Sequence, residues 1–478
     1  MKHTNSKSLL KRSLVVAGWT VAAVVLLVAL VAGTGYWLFF RQPPAASLPQ
    51  PRDHREANVQ DLEYLRKVMT LDRSFSPQAR AAFNESIDRL IPRAAELDDA
   101  SMEMEVTRAI ALADNGHTTV RETTWGSQRL PHIPLRFGQF AEGLFVVKAD
   151  PQLKDLLGAQ LLAVDGQPVA LLASKLRPFV GGPDALAHEF LPHLLATPPA
   201  LHAVGLGRSA GEATLNLRLT DGRVVDRVVA VRPDATIPDN TFRWPKRALS
   251  PVPIPDDAGP WVHVLDGVTP LPAYLQHPNT RYWHIYMSDP ELLYVQINRL
   301  LSEGDTPLDA YLAKVLTEIG ERRPRAVVID VRFSPGGNYQ LAADFTRKLP
   351  AALPENARIF VLMSGNTFSA ALITVARLKY FGGPRVTLVG SPPGDREQFW
   401  AEGNKAQLPN SGITVAYTTG YHDWEHGCRN LSKCFWPNLF EGVAAGKLSV
   451  DVPAPLRFSD YLSGRDSGIE AIRQALQH

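Results

Sequence analysis

Two short loops carry the residue types able to do chemistry. RFSPGGN, residues 332–338, follows the apolar run AVVIDV, and SGNTFSA, residues 364–370, follows RIFVLM. A Gly-Gly pair lets backbone N–H groups turn toward a bound atom without side-chain obstruction. Ser369 stands where a helix is expected to open, and a helix N-terminus favours developing negative charge. A hydroxyl nucleophile beside the N–H groups of Gly336 or Gly337 and of Ala370 is the equipment of acyl transfer, with those donors aimed at the carbonyl oxygen as it becomes charged. By residue type alone, Gly336 and Gly337 serve equally as a turn and Ser369 as a helix cap. A serine also needs a base within reach. Lys379, ten residues further along the expected helix, would point away from the hydroxyl.

The elements that must hold these loops follow an α/β pattern. From Leu292 the chain reads LLYVQI, a helix around residues 308–322, AVVIDV, a helix near 340–349, RIFVLM, a helix from 369 to 380, and VTLVG. Strands that are continuous apolar runs alternating with helices predict a mostly parallel sheet covered by helices on both faces. In such a sheet ligands bind at the loops leaving the carboxyl ends of the strands, which is where both loops fall. Upstream, Leu62, Leu65, Val68 and Met69 form one helical stripe and Ala82, Ile87, Leu90 and Ile91 another. Shorter alternating runs broken by Asp-Gly pairs then predict a small β-rich module. The expected division is a basic tail (1–12), a membrane helix (13–40), a linker (41–57), a helical domain (58–132), a β module (133–232), a connecting region (233–290) and an α/β core (291–478).

Composition narrows the classes of partner. Fifty basic residues against 48 acidic ones, a net charge of +2, leave no basic stripe for nucleic acid. Residues 13–40 carry no charge, and a bilayer core of about 30 Å needs about 20 apolar helical residues. An uncleaved anchor is expected, with a signal peptide cut near Ala32 as the alternative. Lys2, Lys7, Lys11 and Arg12 precede the span, so the basic end is expected in the cytoplasm and residues 42–478 outside, in the periplasm if the cell is Gram-negative. The Pro-rich stretch 41–54 is expected to be an extended spacer. In an oxidising compartment Cys428 and Cys434 are expected to form a disulfide, their spacing fitting no zinc or redox motif. HDWEH holds His422 and His426 around Glu425, but no hydrophobic period supports a helix there, and no metal or other cofactor is expected.

Order and spacing add a resemblance. AVVIDVRFSPGG, then VLMSGNTFSAA, then VTLVG are similar to the core of the tricorn and tail-specific serine peptidases over residues 292–390, and VDVPAPLRFSDYLSGRDSGIEAI resembles the closing segment of that family. The resemblance implies a ClpP/crotonase-like core with Ser369 as nucleophile. LLGAQLLAVDGQPV, residues 156–169, looks like the centre of the PDZ-like modules of tail-specific peptidases, although a module that merely packs on the core, without a peptide groove, is the reading favoured. The tail-specific branch takes its base from a lysine about 25 residues past the serine, where GSPPGDREQ offers Gly394 and Asp395 instead. The tricorn-like branch uses a histidine from the helical region, and ALADNGHTTV resembles its pattern, which makes His117 the base and leaves Asp114 a loop residue. A supporting carboxylate is also implied downstream, with Glu441, Glu402 and Glu425 as rivals. The expectation is a membrane-anchored extracytoplasmic serine peptidase acting on peptide or protein substrates. The alternatives are a binding protein that kept the fold without turnover, and an esterase or amidase acting on a small substrate.

Overall fold

Among the described residues six strands form the central sheet, in the order Val452–Pro453, Val386–Gly390, Arg358–Met363, Ala326–Asp330, Glu291–Ile297 and Tyr282–Ser288. All neighbours pair in parallel except the last two, which form an antiparallel hairpin. The structure is a computed structural model and describes residues 5–121, 130–232, 248–254 and 259–477. Parts of the expected helical domain (122–129) and connecting region (233–247 and 255–258) lie outside the described residues.

Strand side chains alternate between two cores, which explains why the strands read as unbroken apolar runs. Leu293, Val295, Val327, Ile329, Ile359 and Val361 face the helices Leu308–Arg322, Ala343–Ala352 and Ala370–Gly382. Leu292, Tyr294, Val328, Phe360 and Leu362 face the helix Ser467–Ala475 on the other side. Beneath the carboxyl ends of the strands lies a buried ionic triad: Arg332 bonds Asp330 at 2.7 Å and Asp466 at 2.8 Å. Burial alone would lower the pKa of the guanidinium, but the two carboxylates overcome it and hold the pKa well above its ordinary value.

The helices His54–Met69, Pro77–Leu90 and Asp99–Ala111 do not close a core by themselves. Leu65, Phe83, Ile87 and Ile110 pack with Leu408, Ile413, Val415 and Tyr417, from a hairpin of the C-terminal region formed by Asn404–Gln407 and Thr414–Tyr417. Thr119 and Val120 pair with that hairpin, opposite Ala416 and Val415. This sheet carries the loop bearing His117 toward the core. Buried Asp72 locks it, accepting hydrogen bonds from Thr118 Oγ1 and the Thr418 N–H, both at 2.7 Å.

A separate antiparallel sheet runs Leu135–Phe140, Gly143–Ala149, Gln160–Val164, Glu212–Arg218 and Val224–Ala230. Among the described residues Leu135–Phe140 is one of its edges. Helix Asp184–Leu195 lies beside that edge strand and reaches the loop before Ser369, where Glu189 Oε2 accepts from Asn366 Nδ2 at 2.6 Å.

The apolar helix Asn5–Phe39 includes a stretch, Val16–Phe39, that is long and apolar enough to cross a membrane. Its end is docked rather than tethered. Phe39 is 2% exposed, its ring meets Phe435 edge-on at 5.3 Å, and its carbonyl accepts from Thr419 Oγ1 at 2.7 Å. Past it, the Arg41 carbonyl accepts from Tyr417 Oη and the Pro44 carbonyl accepts from Tyr64 Oη at 2.8 Å. Part of the stretch read as a spacer therefore lies against the folded body. Cys428 and Cys434 are joined by a disulfide, their Cα atoms 5.9 Å apart.

Candidate active site

Ser369 lies between the strand Arg358–Met363 and the helix Ala370–Gly382, at φ +56° and ψ −124°. That conformation is disfavoured for any residue with a Cβ and strains the strand-to-helix turn. The side chain makes no capping bond to its own helix, so the hydroxyl is not occupied as a cap. Hydrogen bonds to the neighbouring loop and within it fix the turn. Thr367 Oγ1 donates to the Val331 carbonyl at 2.9 Å, Ser364 Oγ to that of Arg332 at 2.5 Å, and the Phe368 N–H to that of Ser334 at 3.1 Å. The Ser364 N–H also donates to Thr367 Oγ1 at 3.0 Å.

The two loops meet at Gly336. A Cβ there would lie 2.8 Å from the Ala370 nitrogen, the Phe368 carbonyl and Ser369 Cβ, and φ is +94°, so only glycine fits against the turn. Gly337 bridges to Leu300 through its neighbours: Leu300 N–H donates to the Gly336 carbonyl at 3.1 Å and Asn338 N–H to the Leu300 carbonyl at 2.7 Å. In such a bridge the Gly337 N–H is directed away from Leu300.

His117 reaches this turn from the helical region. Its Nε2 hydrogen-bonds Asp395 Oδ2 at 3.0 Å, and the same oxygen accepts from the Ser369 N–H at 3.3 Å. The ring is sandwiched between Phe368, at 4.3 Å between centroids, and Phe399, at 5.2 Å. The stack continues from Phe399 to His422 at 4.7 Å and on to Phe435 at 6.0 Å. Among the described residues no hydrogen bond joins Ser369 Oγ to His117. Catalytic hydrogen bonds are often long before substrate binds.

Asp395 is the residue that sequence reasoning passed over, although it lies in the loop where a lysine was sought. Its neighbour Gly394 explains the missing lysine. A Cβ at that position would lie 1.9 Å from the Gly365 carbonyl oxygen, so no side chain can project from it. The three rival carboxylates are engaged elsewhere: Glu441 with Arg377 at 2.7 Å, Glu402 with His422 at 3.3 Å, and Glu425 with Gln398 at 3.4 Å. Lys379 pairs with Asp451, and Asp114 with Arg396. Among the described residues no cluster of His, Cys, Asp or Glu is arranged to hold a metal ion.

A cavity of about 660 Å³ opens beside the turn, between the edge strand Leu135–Phe140, the helix Asp184–Leu195 and both loops. Phe137, Phe190, Phe333 and Phe368 make its walls largely apolar. Glu189 lines it, and burial pushes its carboxyl up to about 7 against the lowering effect of the Asn366 amide.

In sequence, no protein-family model and no curated protein matches the chain. In structure, the chain resembles mature CPAF, with a TM-score of 0.54 at 15% identity over 89% of this chain and 97% of that one. It also resembles mature CPAF complexed with lactacystin, with a TM-score of 0.53 at 14% identity over 88% and 98% of the two chains. Tricorn protease aligns with a TM-score of 0.36 at 14% identity, covering 88% of this chain and 36% of that one. The fold is similar to that of mature CPAF.

Proposed function

We propose that this chain is a membrane-anchored serine peptidase, with Ser369 as nucleophile and His117 as base, acting outside the cytoplasmic membrane. One observation carries the reading. A single oxygen of Asp395 hydrogen-bonds both the His117 ring and the Ser369 N–H, drawing a histidine 278 positions away in sequence to the nucleophile turn. With Nε2–H given to Asp395, a neutral ring keeps its lone pair on the other nitrogen, which is the atom that takes the Ser369 proton. Ser369 Oγ then bonds to the peptide carbonyl carbon, while the N–H groups of Ala370 and of Gly336 or Gly337 stabilise the resulting oxyanion. The C–N bond breaks as the imidazolium returns its proton to the leaving amine, and water hydrolyses the acyl-enzyme. Asp395 holds the ring's tautomer and offsets its charge.

The core (291–478) is read as ClpP/crotonase-like, the module (133–232) as PDZ-like and residues 58–132 as the unit bringing His117. Leu135–Phe140 is an edge strand bordering the cavity, so an extended peptide added to it would run toward Ser369. Residues 13–40 are read as crossing the membrane with the basic end inside.

Fluorophosphonate labelling tests the chemistry. Labelling should be lost in Ser369→Ala. His117→Ala and Asp395→Asn should each lower kcat by about 10²–10⁴-fold with KM little changed. Strong labelling that persists in Ser369→Ala would overturn the nucleophile. The absence of a Ser369–His117 hydrogen bond among the described residues favours a second reading, a binding protein without turnover. Peptide binding with neither labelling nor hydrolysis in the unaltered chain would establish it.

A further inference from the structure

The membrane helix and the disulfide loop share one surface. Trp436 lies against Gly35, where a Cβ would be 3.0 Å from the indole, and meets Phe39 at 5.8 Å. Gly35 is four residues inside the apolar stretch Val16–Phe39, so at 1.5 Å rise per residue Trp436 reaches about 6 Å below its end. Trp436 therefore stands alongside the apolar stretch itself rather than beyond its end.

The residues around Trp436 have the make-up of a membrane interface. Leu431, whose carbonyl accepts from Trp436 Nε1 at 3.0 Å, is 70% exposed, and Phe440, at the end of the short helix Trp436–Phe440, is 88% exposed. Arg429 and Lys433 flank Leu431 inside the disulfide loop and are also exposed. Large apolar side chains in water beside basic ones are what an anionic headgroup layer accommodates, the rings and Leu in the acyl boundary and the cations at the phosphates.

We infer that Leu431, Trp436 and Phe440 form a second membrane contact, seated in the outer-leaflet interface of the bilayer that the N-terminal helix crosses, with Arg429 and Lys433 on anionic headgroups. This rests on the spanning reading of that helix. It goes beyond anchoring, because a helix plus a side patch fixes how the body is rotated on the membrane. The aromatic stack from Phe435 to Phe368 then holds the candidate site at a set height above the bilayer.

Spin labels on the full chain, reconstituted in nanodiscs of phosphatidylcholine and phosphatidylglycerol, separate the two claims. The native cysteines are paired, so Phe440→Cys, Val25→Cys in mid-helix and Glu355→Cys on an exposed loop can each be labelled alone. Collision with oxygen, which partitions into lipid, is compared with collision with a water-soluble nickel chelate. The expected result is an oxygen-to-nickel ratio at 440 several-fold above that at 355, approaching that at 25. A ratio at 440 equal to that at 355, with 25 in lipid, overturns the contact while the span stands, and leaves the patch to a protein partner. A label at 25 that behaves as aqueous overturns the span and the contact together.

Discussion

Ser369 is held in a conformation that L-residues rarely adopt, and the cost, about 1–3 kcal/mol, is sustained by the hydrogen bonds around the turn. The strain and the chemistry can be separated. Ser369→Ala and Ser369→Gly both remove the hydroxyl and should both be inactive, but only Gly relieves the turn. Ser369→Gly should therefore be more stable than Ser369→Ala by about 1 kcal/mol in urea unfolding. Equal stability would mean that the turn is unstrained. Glu189 offers a pH test. Its carboxyl is raised from 4.5 to about 7 in the folded chain, so between those values the folded state binds the proton that the unfolded state has lost. Stability from this group consequently falls as pH rises from 4.5 to about 7, and the penalty is fully present above. Glu189→Gln should raise Tm relative to the unaltered chain above neutral pH, with the difference vanishing near pH 4.5. A difference independent of pH would assign the effect to packing.

At the scale of elements, the loop after Val386–Gly390 limits which side chains can reach the Ser369 turn. Gly394 touches the Gly365 carbonyl too closely for any side chain, so installing a lysine there cannot recreate a Ser/Lys dyad without moving backbone. Gly394→Lys should lower stability by several kcal/mol, an overpacking effect larger than the usual about 1–3 kcal/mol, and should not rescue His117→Ala. Rescue by the double variant would show that this loop is soft. The parallel strands and the Gly-Gly and Ser369 loops were legible in the sequence because each strand is one apolar run that ends in unusual residues. His117 was legible only through resemblance. Asp395 was not, since a carboxylate after a glycine in a proline-rich loop has no periodicity and its partner lies far away in sequence. The packing of Leu65, Phe83 and Ile87 against Val415 and Tyr417 was equally hidden, for non-local pairings leave no local pattern.

The whole molecule joins its apolar N-terminal helix to its candidate site through packed rings. Phe39, at the end of the apolar helix, packs on Phe435, which stacks toward His422, Phe399 and His117. Two consequences can be told apart with Phe39→Ala in the full chain. Removing a buried ring should destabilise by about 3–5 kcal/mol if the site cannot collapse, so Tm should fall. Activity is a separate question. A row of packed rings holds a position, whereas transmitting a change requires an element with two arrangements that both ends bias. His117 is also held independently, by Asp395, by Phe368 and by the Asp72 lock on Thr118. Peptide hydrolysis per folded molecule should therefore be unchanged below the lowered Tm, with kcat measured on the soluble fraction in the same membrane mimetic. A fall in kcat at a temperature where the variant is fully folded would mean instead that the apolar helix sets the seat of His117, and that the site is complete only when the helix is docked.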